Sequence, residues 1–553
     1  MLRERAWGRR GVLAVLLLAA QWAWCQPAPE RIRLLAHNAT QDTPDPSAPY
    51  DERDWLSRFY SERGYTSAWT AATTAQALDL LGRASEHGLP VSADDVRLVA
   101  VRMHANGGAT VDDAPDQDAA LTLVMLRYLA DLQVGQVRSA FAPARTVDPV
   151  TLLGIALRNQ DLAGAVDAAA PHLALYGRLK ALLATYRTLA LAPAAPLATV
   201  ASGAALSPGA AYAGAPALAA RLALLGDLAP ALVDAPGDTQ PGIYSATLAL
   251  AVTRFQERHG LPADGKLGRQ TVAALNVPLA ARVRQIELSL ERLRWLPDLS
   301  GAPFIAINLP SFRLWAFTNV DAAPLLASRV IVGKSVRTQT PLFTGTLRYI
   351  EFNPYWNVPP SILRSEILPA LLRDPNYLVK NDMEVAGSGA QKVDAATLAA
   401  LRAGTLRVRQ RPGPRNALGN IEFGLPNAMN IYLHSTPART LFARARRDFS
   451  HGCIRVEDTE ALANFVLGGQ QGWTSAAVAA ALAPGQSRTV ALKATMPVII
   501  FYTTAMVDHD GQAMFPDDVY GFDAALERSL EERNARRKRA STQTSARMQT
   551  MLP

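Results

Sequence analysis

The sequence predicts a multidomain α+β protein with an all-α N-terminal region, a small three-helix unit and a mostly-β C-terminal domain. Three observations carry this reading. The chain of 553 residues implies three or four domains at roughly 150 residues each. Apolar residues recur at helical spacing through the first half, as in Trp55, Phe59 and Tyr60, and in Leu248, Ala251, Val252 and Phe255. From Phe304 onward the pattern changes to short runs such as Phe304-Ile-Ala-Ile-Asn-Leu, Phe312-Arg-Leu-Trp-Ala-Phe and Ser328-Arg-Val-Ile-Val, which read as strands.

Residues 1–25 read as an export signal or a retained N-terminal anchor. Arg3, Arg5, Arg9 and Arg10 precede a short apolar run from Gly11 to Ala20, shorter than the ~20 residues that span a bilayer comfortably. Trp24 stands where a small residue precedes a lipidated cysteine, which argues against lipidation of Cys25. Residues 26–48 carry Pro, Asp, Ser and Thr and read as a loose linker. Residues 49–190 form the helical domain, with Glu86-His-Gly-Leu-Pro90 stopping one helix and further amphipathic stretches at Leu121–Leu132 and Leu173–Leu189. Residues 191–216 are Ala-, Pro- and Gly-rich with almost no charge, a connector. Residues 217–280 are the compact three-helix unit, and 281–300 a linking helix with Leu288, Leu290 and Leu293 available for packing.

The β domain spans 301–505. Between Ser361 and Pro414 it is interrupted by helical pieces and the Gly- and Pro-rich Arg411-Pro-Gly-Pro. An insertion of this kind between strands suggests a lid. Residues 508–522 read as a loop, and 523–553, with Arg536-Arg-Lys-Arg539, as a basic disordered tail.

The chemistry concentrates in two phrases, Ile431-Tyr-Leu-His-Ser-Thr-Pro-Ala-Arg439 and Asp448-Phe-Ser-His-Gly-Cys-Ile-Arg-Val456. Met429, Ile431 and Leu433 alternate with Asn430, Tyr432 and His434, so His434 and Tyr432 share the polar face of a strand. A cysteine nucleophile needs a base within reach and oxyanion donors beside it. His434 offers the base, and Gly452 lets the chain turn so that N–H groups around Ser450, His451, Gly452 and Cys453 face a developing oxyanion. Asp458 is a candidate N-cap for a helix through Leu462, Phe465 and Val466. A thiol just ahead of such an N-terminus has its thiolate favoured. Removal of the signal leaves Cys453 as the one remaining cysteine of two.

These two phrases, with His-x-Thr-Pro followed by Ser-His-Gly-Cys-Ile-Arg, resemble the active-site signature of L,D-transpeptidases with a YkuD-type catalytic domain. The resemblance implies that Cys453 is the acyl-accepting nucleophile and His434 its base. It implies attack on the amide after the third residue of a peptidoglycan tetrapeptide stem, with loss of the terminal D-alanine. Transfer of the thioester to an amine of a second stem then gives a 3→3 cross-link. It further implies that 361–414 caps the substrate, that carbapenems acylate Cys453, and that no cofactor or metal is needed. The phrases Arg63–Trp69, His87-Gly-Leu and Pro171–Tyr176 resemble the helical scaffold domain of the large Gram-negative members, which act in the periplasm. Leu222-Ala-Leu-Leu-Gly-Asp, Phe255-Gln and Asp264-Gly-x-x-Gly-x-x-Thr271 resemble a small three-helix peptidoglycan-binding domain. The expected partners are therefore stem peptides and glycan strands.

Alternatives stay open at several residues. Arg455 either pairs with a substrate carboxylate or builds the turn, and Tyr432 and Trp356 either line the pocket or belong to the core. The ligand types His434, His451 and Cys453 suit zinc, but the spacing of His451 and Cys453 and the lack of an evident fourth ligand argue against a metal site. In a papain-like peptidase the cysteine usually precedes the histidine; here His434 comes first. No Asn or Asp is clearly placed as a third member, so a backbone carbonyl is the candidate for orienting the imidazole. A carboxypeptidase or endopeptidase passing the acyl group to water uses the same residues, and a non-catalytic wall-binding scaffold needs only 217–280 and the basic surface. The net charge of +8 is compatible with an anionic partner, but no nucleic-acid-reading module accompanies it.

Overall fold

A computed structural model of the chain describes residues 28–41, 46, 48–90, 114–139, 148–191, 205–232, 242–299 and 301–550, with side chains described to residue 539. The signal or anchor expected over 1–25 lies outside them. The chain divides into two compact units, one of residues 1–172, 290–295 and 524–553, the other of 173–289 and 296–523.

In the first unit the helices Ala28–Thr40, Trp55–Ser61, Ala71–Gly82, Ala114–Val134, Pro149–Asn159 and Leu162–Ala169 surround one core that includes Ile32, Phe59, Tyr60, Met125, Leu129, Leu153 and Leu162. The stretch expected as a linker is thus partly helix. Ile32 and Ala36, one turn apart, are both buried. Buried Asp118 ties the turn before the helix at Ala71: its carboxylate accepts from the Tyr60 hydroxyl at 2.6 Å and from the backbone N–H of Ala68 and Trp69. The tail expected to be disordered is instead a helix, Phe522–Thr550. Leu526, Leu530 and Arg533 are buried along it, and Arg533 and Arg537 both donate to Asp131 and to the Tyr50 hydroxyl. Paired cations at one-turn spacing meeting a buried acid anchor it; sequence composition alone reports only that it is basic.

The second unit begins with the helix Ala174–Ala190, which the sequence places with the helical domain. The three-helix module follows, with helices Ala215–Leu224, Ala246–Arg258 and Arg269–Leu275 around Leu218, Leu222, Val252, Phe255 and Val272. Gln256 organises it: its amide donates to Lys266 O at 2.9 Å and to Thr271 Oγ1 at 3.1 Å, and accepts from Gly265 N at 2.9 Å. Leu206 and Ala211, on the expected connector, bridge to Leu267 and Ile243. Arg258 forms a fully buried ion pair with Asp227 and its carbonyl accepts from Phe515 N.

The β domain is built from β1 (Phe304–Asn308), β2 (Arg313–Phe317), β3 (Leu326–Gly333), β4 (Phe343–Phe352), β5 (Trp356–Asn357), β6 (Met383–Val385), β7 (Val408–Gln410), β8 (Ile421–Gly424), β9 (Leu433–His434), β10 (Asp448–Ser450), β11 (Ile454–Val456) and β12 (Arg488–Phe501). One sheet runs β10-β3-β11-β9-β8-β4-β12-β1-β2, and β2 pairs back onto β3 to close it. Inward residues, among them Ile305, Ile307, Val330, Ile350, Phe423, Leu433, Ile454 and Ile500, make its core. The helices Thr459–Leu467 and Ser475–Leu482 add Leu462, Leu467 and Val478 to that core. Each such burial contributes roughly 1.5–3 kcal/mol. The insertion has its own sheet, β5-β7-β6, and its own core of Val358, Ile367, Leu371, Leu378, Val385, Leu401 and Val408.

Candidate active site

Strand register decides which side chains meet. β9 lies between β8 and β11: Glu422 pairs with His434, and His434 with Arg455. Leu433, Phe423 and Ile454 point into the core, so Glu422, His434 and Arg455 share the opposite face, where paired residues sit about 5 Å apart. One step along, Ile454 N donates to Tyr432 O at 3.1 Å, which sets Cys453 beside Tyr432 on that same face. His434 and Cys453, nineteen positions apart (453 − 434), are thereby brought together. The alternation read from the sequence holds for 431–434 only, since Asn430 has φ 53° and Met429 is exposed.

His434 is buried, and its Nδ1 donates to the Ser435 carbonyl at 2.6 Å. A backbone carbonyl thus orients the imidazole, and the Nδ1–H tautomer leaves Nε2 as the acceptor. Burial first, and then the Arg455 guanidinium, push its pKa down to about 3, so the ring is neutral across ordinary pH. Burial pushes the Cys453 thiol up. The residue after it opens β11, and the helix at Thr459 begins six positions on (459 − 453). The expected thiolate-favouring N-terminus is therefore not at the sulfur. Asp458 does occupy the N-cap, but its carboxylate accepts from Ser328 Oγ rather than from the helix. The resting pair is a neutral thiol and a neutral imidazole. Cys453 is half-buried, with its thiol donating to Asn430 O at 3.5 Å.

The turn before Cys453 is braced from behind. Ser450 Oγ accepts from Gly452 N at 3.1 Å and donates to Cys453 O at 2.6 Å. Thr340 Oγ1 donates to Gly452 O at 2.7 Å and accepts from Gly333 N at 2.9 Å. Tyr520 donates to Gly333 O at 2.7 Å and accepts from Thr340 N at 3.2 Å. Gly452 has φ 119°, a backbone that other residues rarely adopt. The N–H groups of Gly452 and Ile454 are committed to Ser450 Oγ and Tyr432 O, which leaves those of Cys453 and His451 as the turn donors for an oxyanion.

The remaining sequence-predicted residues fall around this centre. Tyr432 is largely buried, tilted against His434 at 5.6 Å between ring centroids, and its hydroxyl approaches both the Cys453 sulfur and the Trp356 indole. Trp356, half-buried on β5, packs against the insertion's core. Arg455 lies on the site face, its buried Nε without a hydrogen-bond partner among the described residues. His451 points to the insertion instead, its Nε2 lying 2.8 Å from Glu366 Oε1. Sequence reasoning missed Thr340, Tyr520, Glu366 and Glu422. Thr340 lies in the polar loop Gly333–Pro341, which shows no bracing role by itself, Tyr520 carries no motif, and each acid becomes visible only through a partner on another element.

Residues 302–500 match the family described as "L,D-transpeptidase catalytic domain" (YkuD). Over that stretch, which holds Glu422, His434 and Cys453, the chain is similar to a YkuD-type L,D-transpeptidase catalytic domain. Residues 54–183 match the family described as "Scaffold domain", and 216–275 that described as "Putative peptidoglycan binding domain". A Haemophilus influenzae protein named "Putative L,D-transpeptidase" is 33% identical over 274 residues, 48% of this chain. The match spans about half of that relative, 54% of its length. Two solved L,D-transpeptidase structures also align with the chain. That from Xylanimonas cellulosilytica has 16% identity, covers 55% of this chain and 100% of its own, and has a TM-score of 0.17. That from Stackebrandtia nassauensis has 14% identity, 54% and 94% coverage, and a TM-score of 0.22. At such scores neither likeness bears on the fold of this chain. The three family matches, each over its own stretch, agree with the multidomain α+β build described above.

Proposed function

We propose that this chain is a periplasmic cysteine L,D-transpeptidase that forms 3→3 cross-links in peptidoglycan through a thioester on Cys453. The observation that carries the reading is the placement of His434 and Cys453 on one face of adjacent strands, with the imidazole fixed by the Ser435 carbonyl. The exported location rests on the sequence of residues 1–25.

In this mechanism a tetrapeptide stem lies along the site face with its scissile carbonyl against Cys453. Because thiol and imidazole are both neutral at rest, deprotonation accompanies attack: Nε2 of His434 takes the proton as sulfur adds to the carbonyl carbon. The Cys453 N–H stabilises the oxyanion. His434 then protonates the departing D-alanine amine and returns to neutrality. Tyr432 and Trp356 form an apolar wall beside the sulfur, and Arg455 receives a carboxylate of the stem. The insertion, touching the catalytic turn through Glu366 and His451, limits water at the thioester, which favours transfer over hydrolysis.

Purified tetrapeptide muropeptides incubated with the enzyme and with Cys453→Ala test the reading by mass spectrometry of the products. Cross-linked dimers lacking one D-alanine, formed only by the unaltered enzyme, are the expected result. Tripeptide monomers alone would make the chain a hydrolase, and unchanged substrate with both proteins would leave the wall-binding scaffold reading.

A further inference from the structure

Register extends the polar row across four strands: Glu351 pairs with Glu422, Glu422 with His434, and His434 with Arg455. The row has an acidic end, a neutral imidazole and a cationic end. Glu351 is engaged, its Oε1 accepting from Ser487 Oγ at 2.7 Å. The Glu422 carboxyl has no such hydrogen bond among the described residues, and lies within electrostatic reach of Cys453 and Tyr432. On the next row the Tyr349 ring packs over Gly424, where an added Cβ would fall 2.1 Å from it, so the ring rather than another ionic partner lies beside Glu422.

Resting on the transpeptidase reading above, we propose that Glu422 receives the acceptor amine, binding it as an ammonium beside the thioester and taking the first of its protons. An acceptor reaches the acyl-enzyme as R′–NH₃⁺ and must lose a proton before it can attack. An alkyl ammonium titrates near 10. His434, held at about 3, is a weak acceptor for that proton; burial and then Glu351 push Glu422 up to about 7, close to the pH at which it must work. The groups facing Glu422 are Tyr349 and Glu351 on β4, His434 on β9 with Tyr432 just ahead of it, and Arg455 on β11 with Cys453 just ahead of it. The two acids attract a cation, and Arg455, beyond His434, repels one, so amine and carboxylate are directed to opposite ends of the row.

The step balances. The Glu422 carboxylate takes one proton from R′–NH₃⁺. The amine nitrogen adds to the thioester carbonyl, and the carbon–sulfur bond breaks. The sulfur leaves with the electron pair and, through His434, recovers the second nitrogen proton. The products are the amide, the Cys453 thiol and protonated Glu422, which returns its proton to solvent.

Glu422→Gln in the full chain tests this with a tetrapeptide donor and a stem peptide carrying a primary amine as acceptor. The acyl-enzyme is followed by intact-protein mass spectrometry and the products by chromatography. The variant is expected still to acquire the acyl group, which keeps this test separate from the transpeptidase reading: absence of acylation in the unaltered enzyme would sink that reading instead. Transfer to the ammonium acceptor is expected to fall at least tenfold, with a rise near pH 7 in the unaltered enzyme that the variant lacks. Hydroxylamine, neutral at pH 7, is expected to be acylated by both at similar rates, a rescue that a merely structural role would not produce. Glu422→Asp, which keeps the charge, is expected to recover part of the transfer and guards against misfolding of the glutamine variant. Wild-type transfer rates and pH profile in Glu422→Gln, or an equal loss with hydroxylamine, would overturn the assignment.

Discussion

At the scale of single residues, burial rather than ion pairing governs His434 and Cys453, the pair proposed to act as base and nucleophile. His434 is enclosed and close to a guanidinium, so its pKa falls to about 3, while the Cys453 thiol is raised. The acylation rate, measured as carbapenem capture in stopped flow, is therefore expected to show no inflection near pH 6.5. A step there would mean that the imidazole titrates normally. His434→Gln is expected to slow the same reaction by roughly 10²–10⁴-fold, the usual worth of a positioned base. For Glu422 the sign runs the other way. Its folded pKa, about 7, lies above the ordinary carboxylate value, so the folded state holds its proton more tightly than the unfolded. Stability is lost as pH rises from near 4.5 through 7. Thermal melts of Glu422→Gln should thus show little change at pH 4.5 and a gain on the order of 2 kcal/mol at pH 8. The sequence made Cys453, His434 and the Gly452 turn legible because their chemistry is local and their spacing distinctive. It could not expose Glu422, whose importance comes from strands that the fold sets side by side.

At the scale of elements, the Gly452 turn is held between a rigid brace and a lighter clasp. Thr340 and Tyr520 fix the Gly452 carbonyl and the start of the loop after β3 from the buried side. On the open side, His451 meets Glu366 on a π-helical segment, Leu363–Ile367, of the insertion; such segments often lie at functional sites. Both partners of the clasp are exposed by more than a third, so it contributes at most about 1 kcal/mol. Glu366→Ala is expected to leave the melting temperature nearly unchanged. It should increase hydrogen exchange over 360–373 and shift products from cross-linked dimer toward hydrolysed tripeptide. Unaltered exchange and product ratio would remove the insertion from control of the site. The insertion was legible as a change in composition between strands, whereas its sheet β5-β7-β6 was not, because two- and three-residue strands leave no periodic trace.

At the scale of the whole molecule, helical periodicity and β-runs were enough to separate the helical region, the three-helix module and the β domain. The C-terminal segment was misread because charge density resembles a solvated tail. Arg533 is almost fully buried against Asp131 and Tyr50, an arrangement that needs contacts about 400 residues apart, 402 for Arg533 and Asp131. Removing Arg533 leaves buried Asp131 with Arg537 as its remaining cation among the described residues, beside the Tyr50 hydroxyl that donates to it. Arg533→Ala is expected to destabilise the helical unit by about 3 kcal/mol, the lower end for breaking a buried pair, read as an earlier transition in calorimetry. An unchanged transition would mean that this helix is not part of the unit's core.

The central claim is that Cys453 carries the acyl group, with His434 as its neutral base. Intact-protein mass spectrometry of the enzyme quenched in acid during turnover of a tetrapeptide donor tests it most directly. The account predicts an adduct of the donor less D-alanine, mapping to the peptide containing Cys453, sharply diminished in His434→Gln and absent in Cys453→Ala. An adduct that persists in Cys453→Ala, or that maps to another residue, would contradict it.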